Sequence, residues 1–213
     1  MVHVSLSRAG GFAALAAPVV MWTEFLAHGL ARPHYNLLTR PFSDLATRGT
    51  PNSVEFALGF FLLPGVLTVL VGVGLWFATH DGWSWRVGAL LIVAAGVFLF
   101  ATGIFPQDPR SWPESLLHGT MAQICFAVAA VAPIVLFIGS MRHTHLDPPR
   151  RLWLVAGVAA LLIEVLGIAM RPVMAYPDGV FQRPFTVVLT IWFVATGMWL
   201  LRLRRSPGLQ NSR

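Results

Sequence analysis

An all-helical integral membrane protein, a bundle of about six transmembrane helices with a short interfacial helix between the first two, is the fold the sequence predicts. The first observation is composition: of 213 residues, 56% are hydrophobic and only 11% charged, whereas roughly a quarter of a soluble domain is charged. The second is a mean hydropathy of +0.68. The third is length. A bilayer core about 30 Å thick takes about 20 helical residues per crossing, so a chain this long with short loops holds six spans and excludes the large two-fold repeated transporters.

The first apolar run, residues 10–30, follows Arg8 as a signal peptide would, yet it is too long for such a segment and lacks a small-residue cleavage site, so it reads as a retained helix. The connection 31–53 is more than loop. Tyr35, Leu37, Leu38, Phe42 and Leu45 alternate with polar residues, and Gly49 offers a stop after residues 43–48. That segment is expected to lie in the interface or fold back as a lid. Apolar runs at 54–79, 87–105, 116–140, 152–170 and 185–201 supply the other five spans. Asn52 with Glu55, and Ser111-Trp112-Pro113-Glu114, have the capping-box spacing that starts a helix, which assigns both glutamates as caps. No repeat or linker divides the chain, so residues 1–205 form one domain and 206–213 a short disordered tail.

Charge narrows partners and orientation. The basic residues are 15 arginines without a lysine, against 9 acids, and they form no clustered basic face for a nucleic acid. Arg8, Arg86, Arg142, Arg150, Arg151, Arg202, Arg204, Arg205 and Arg213 fall on one side, nine in all; Arg32, Arg40, Arg48, Arg110, Arg171 and Arg183, six, fall on the other. The positive-inside rule then puts both termini in the cytoplasm, with the protein multi-pass in the inner membrane. Most acids sit at the outer face, so chemistry is expected there. Cys125, the single cysteine, lies in an apolar run and permits no intramolecular disulfide.

Acids inside spans mark functional sites by default. Glu24 has His28 at i+4 on the same face, and Glu164 has Arg171 two turns on along one stripe. The competing reading of each is an ion pair that locks packing. Asp108, in Gly103-Ile104-Phe105-Pro106-Gln107-Asp108-Pro109, is close enough across a short turn to fold toward His118 in the next helix; alternatively it only closes an Asx turn, and His118 is a satisfied interfacial histidine. Asp44 enters the site or caps the lid helix. His143 and His145, beside Arg142 and Arg150, read as solvated or headgroup-facing. No aspartate-rich diphosphate motif, glycine-rich phosphate loop, Gly-x-Ser-x-Gly elbow or i, i+4 histidine pair occurs. A zinc set of Asp44, Asp108, His118 and Glu24 or His28 is conceivable, although no spacing demands it. Eight tryptophans and fifteen phenylalanines are many for this length. A subset lining a cavity would attract a cation by about 0.5–2 kcal/mol each.

Through Tyr35-Asn36, Phe42-Ser43-Asp44-Leu45, residues 103–109 and His118-Gly119, the chain resembles the bacterial six-helix membrane family catalogued as domain of unknown function 998. In size, topology and composition it also looks like the compact membrane-bound terpene cyclases that close prenylated indoles in bacteria. That second resemblance implies a proton-initiated, metal-independent cyclisation needing no cofactor, with a hydrophobic small molecule such as farnesylated indole as substrate and the lipid bilayer as the other partner. It implies Asp108 as general acid, His118 hydrogen-bonded to it, and Glu24 or Asp44 as alternative acid or final base. Tyr35, Asn36, His28, Trp112, Phe105, Trp22, Glu164 and Arg171 would contact the substrate. The other classes expected are a lipid-binding transport protein using Glu24, Glu164 and Arg171, and a metal-dependent lipid hydrolase using Asp44, Asp108 and His118.

Overall fold

A computed structural model of the chain describes residues 2–78, 82–141, 147–174 and 177–203. His143, His145 and the tail 206–213 lie outside the described residues. The helices are α1 (Val2–Ala31), α2 (Ser53–Ala78), α3 (Trp83–Ile104), α4 (Trp112–Ser140), α5 (Arg150–Met170) and α6 (Pro177–Arg202). A short 3-10 helix, Phe42–Ala46, precedes α2, and no strand occurs among the described residues. All six long helices are long and apolar enough to cross a membrane. This is a multi-pass membrane protein. Val19, Leu90, Val97, Leu162, Val165 and Ile191 are exposed, as residues facing acyl chains are.

Two helix starts differ from the capping-box expectation. Asn52 sits in the left-handed region at φ 57° and Ser111 is extended, and neither side chain makes a capping bond. Glu114 reaches the Arg48 guanidinium at 2.8 Å instead of returning to the Ser111 N–H. The first helix also begins at Val2, not residue 10, since no proline or glycine interrupts it before Gly10.

Each helix packs against its sequence neighbours, and α6 returns to α1, so the six close into a ring. Glycines set the closest crossings. A Cβ on Gly10 would stand 2.7 Å from the Gly74 Cα, one on Gly96 would stand 2.6 Å from the Gly65 carbonyl, and one on Gly197 would stand 2.8 Å from the Gly11 carbonyl. Those three pairs seal α1 to α2, α2 to α3 and α1 to α6, as small residues do where no hydrophobic drive separates helix from lipid.

The interior of the ring differs at its two ends. At the end carrying the N-terminus, Leu75, Trp85, Leu136, Trp153, Trp192 and Leu200 are fully buried in one cluster. Trp85 donates to the Leu75 carbonyl at 2.7 Å and Trp153 to the Thr196 hydroxyl at 2.9 Å, so their N–H groups are satisfied. At the opposite end a second cluster, including Phe25, Phe42, Phe56, Phe60 and Phe61, clamps the 3-10 helix onto α1 and α2. Between the clusters lies a cavity.

Candidate functional site

The cavity occupies the lid half of the ring and has an upper chamber of about 220 Å³. The 3-10 segment roofs it with Pro41, Phe42 and Ser43. Residues 58–62 of α2 form a π-helical turn, whose extra residue brings consecutive Phe60 and Phe61 both inward. Most of the polar side chains come from α4, α5 and α6, among them Ser115, His118, Gln123, Glu164, Arg171, Asp178 and Gln182, and α3 and the turn after it add Thr102 and Gln107.

His118 is 5% exposed, and its Nδ1 lies 2.8 Å from the Phe105 carbonyl oxygen and 3.1 Å from that of Thr102. Carbonyls only accept, so Nδ1 carries the hydrogen and the neutral ring keeps its lone pair on Nε2. Across the chamber the Gln123 amide donates to Glu164 Oε1, and Arg171 donates to Gln123 Oε1 at 3.0 Å and to Asp178 Oδ1 at 3.1 Å. Glu164 is the deepest acid on α5, with Arg171 two turns nearer the mouth. The expected Glu164–Arg171 companionship therefore holds through Gln123 rather than by direct contact.

The roof is held by Arg183. Its Nε donates to the Leu37 carbonyl at 2.8 Å and Nη1 to Gly179 at 2.6 Å, while Nη2 lies 3.1 Å from the Tyr35 hydroxyl. The guanidinium also stands over the Phe42 and Phe25 rings, 4.6 and 5.1 Å from their centroids. Tyr35 donates onward to the Pro41 carbonyl at 3.0 Å, and Gln182 Oε1 accepts the Phe42 N–H at 3.0 Å. Burial pushes the Tyr35 phenol up to about 12, with the nearby Arg183 charge pulling the other way.

Several expected residues lie elsewhere. Asp108 does not meet His118: it is 8% exposed, its Oδ1 accepts the Arg110 N–H at 2.8 Å in an Asx turn, and its Oδ2 pairs with Arg48 at 3.4 Å. The turn prevails because the two His118-accepting carbonyls already occupy Nδ1. Glu24 and His28 do pair, at 3.3 Å, but on a shallow outer groove with Glu55, where Glu24 lies against Gly59 of the π turn. Asp44 pairs with Arg40 at 3.5 Å within the lid, and burial raises its carboxyl despite Arg40 and Arg32. Asn36 caps its own turn by accepting the Leu38 and Thr39 N–H groups. Trp112 is 77% exposed and Phe105 offers its carbonyl, not its ring, to the site. Trp22 ties α1 to α6 through Thr190 at 2.9 Å. The zinc set of Asp44, Asp108, His118 and Glu24 or His28 is not assembled, and no group of three metal-ligating side chains forms among the described residues.

The family model described as Protein of unknown function (DUF998) matches residues 15–199. The chain belongs to the DUF998 family. No curated protein and no solved structure matches it. In this DUF998 chain the matched span contains every residue that lines the chamber, from Met21 to Thr186. Of the expected site, His118, Glu164 and Arg171 converge there. Gln123, Asp178, Gln182 and Arg183 were not expected. The two glutamines carried a signal all the same, since an amide within an apolar span needs a partner as an acid does.

Proposed function

We propose that this DUF998 protein is a membrane-embedded, proton-initiated cyclase of a prenylated aromatic such as farnesylated indole, with Glu164 in place of Asp108 as the proton-bearing group. The observation that carries the reading is an aromatic, blind chamber in which, of the two lining carboxyls, Glu164 is met by an amide and Asp178 by Arg171. Glu164 accepts from an uncharged amide while Arg171 is turned to Gln123 and Asp178. Phe60, Phe61, Phe126, Phe181 and Phe185 wall the space.

In this chemistry the Glu164 carboxylic acid gives its proton to a terminal alkene carbon, forming a C–H bond and a tertiary cation. Successive double bonds then attack the cation and close rings. Phenylalanine faces stabilise the migrating charge by about 0.5–2 kcal/mol each when water is excluded. The last cation loses a proton to His118 Nε2 or back to the Glu164 carboxylate, and the product is an isomer of the substrate. Asp108 suits the donor's role less, because its two oxygens are engaged by Arg48 and the Arg110 N–H and it does not line the chamber. A transport pathway would need an exit at the far end, where the tryptophan cluster fills the ring.

Membranes containing the protein, incubated with farnesylated indole with and without chelator, are expected to yield a same-mass product of altered retention in both cases. Glu164→Gln should abolish it, a loss of about 10²–10⁴-fold for a general acid, while Asp108→Asn retains it. Unchanged substrate with the native chain rejects the reading.

A further inference from the structure

Below the chamber lies a second one of about 70 Å³, and the two share walls at Met21, Leu99, Cys125, Phe126, Phe185 and Thr186. The character of the lining changes at that junction. Above it stand the charged and amide side chains; below it the walls are Ala17, Ile92, Ala95, Ala129, Leu189 and Phe193, with no charged group. Of the three hydroxyls there, on Thr68, Thr186 and Thr190, Thr190 accepts from the Trp22 N–H and Thr186 donates to the Gln182 carbonyl, while the buried Trp192 indole N–H in the same lining has no hydrogen-bond partner among the described residues. Cys125, at the junction, is buried with its thiol directed to the Ala95 carbonyl at 3.4 Å. Trp192 belongs to both the lower wall and the far-end cluster and closes the floor.

A compartment of this size accepts a few carbon atoms, not a whole prenyl chain. Alanines at 95 and 129 make that room, at 3% and 8% exposure, and larger side chains there would abolish it. An apolar end group entering it leaves water and loses no hydrogen bond, whereas a polar ring system would be stripped of its partners. Gln123 and Glu164 lie immediately above, Gln123 on α4, which also carries Phe126 and Ala129, and Glu164 on α5.

We infer that the lower chamber seats the terminal isoprene unit of the substrate, so that its double bond stands at the Cys125 junction beneath Glu164 while the aromatic head stays in the upper chamber under the lid. The inference rests on the cyclase reading for the identity of the substrate, but its geometry is separable. Ala95 and Ala129 are then the residues that set which chain end is accepted.

Photocrosslinking of the full-length protein in bilayer nanodiscs tests it. One farnesylindole carries a diazirine on the terminal isoprene unit, and a second carries it on the indole ring. The tail probe is expected to tag peptides containing Ala95 and Ala129, and the ring probe peptides containing Pro41–Ser43 or Phe181. Ala129→Trp, which fills the lower chamber, should reduce tail tagging about tenfold or more, since an overpacked site rejects added carbon, and Ala95→Leu serves the same test should the tryptophan variant fail to fold. Tail tagging beneath the lid, ring tagging in the lower chamber, tail tagging indifferent to both variants, or no tagging of either chamber would each overturn the seating. Tail tagging at Ala129 without any isomer formed upholds the seating and rejects the cyclase; isomer formed with the tail tagged under the lid does the reverse.

Discussion

At the scale of single residues, Arg183 of α6 is the side chain that ties the lid down. Three hydrogen-bonding directions and two aromatic faces converge on one planar cation, an arrangement that lysine, a point charge with a flexible stem, does not reproduce. Arg183→Met removes them all, and the expected cost to lid docking is about 2 kcal/mol, or about 30-fold in opening. Hydrogen exchange of the amides in residues 35–46 should accelerate by that factor, with helix-interior exchange unchanged. Tyr35 makes a second prediction. Its folded value, about 12, lies above the ordinary phenol value of 10.0. The folded chain therefore holds that proton more tightly than the unfolded one does. The stability linked to it is complete below pH 10 and is lost as pH rises from there through about 12. Phenolate absorbance of a Tyr176→Phe variant, which leaves Tyr35 alone, should show a midpoint near 12, and Arg183→Met should displace it.

At the scale of elements, the helix pairs depend on backbone proximity more than on side-chain bulk. Gly74 is the sharpest case, because the atom its Cβ would meet is the Gly10 Cα, which has no rotamer with which to move aside. Gly74→Val must part α1 from α2, at an expected cost of about 1–3 kcal/mol, read as a fall in thermal midpoint in nanodiscs. Gly119→Ala is the control: nothing lies within 4 Å of a Cβ there, so its midpoint should stay with the native one. The π turn at 58–62 belongs to this scale too. It widens α2 where Glu24 leans on Gly59 from outside and turns Phe60 and Phe61 toward the chamber from inside.

At the scale of the whole molecule, the ring separates stability from chemistry along its axis. The far-end cluster is apolar, tryptophan-rich and closed, and the lid half is polar, cavity-bearing and roofed by a docked segment. Trp153→Ala removes a buried ring packed against Trp85 and Trp199 at centroid separations of 5.7 and 5.6 Å, together with its bond to Thr196. The expected loss is about 3–5 kcal/mol. Glu164→Gln, by contrast, keeps size and hydrogen-bonding capacity and should leave the thermal midpoint within about 0.5 kcal/mol of native. A comparison of both variants in one thermal series checks this division.

The sequence by itself determined the class and the number of spans, since hydropathy and run length are properties of the chain that no packing can reverse, and it left residues 31–53 open between an interfacial segment and a lid. It also marked Glu164 and Arg171 through helical spacing and His118 through its position near a span end. Which of the remaining polar residues share a cavity was decided only by tertiary structure. Along the chain Asp108 with His118 was the preferred pair and Glu24 or Asp44 the alternative, yet the ring order of the helices leaves Glu24 on an outer groove, Arg48 claims Asp108 from the lid loop, and Arg40 claims Asp44. Gln123 and Arg183 became part of the story for the same reason. A side chain's local periodicity fixes its angle about its own helix, whereas its partner is fixed by where the neighbouring helix stands, and that is set by glycine contacts and aromatic packing between segments far apart in the chain.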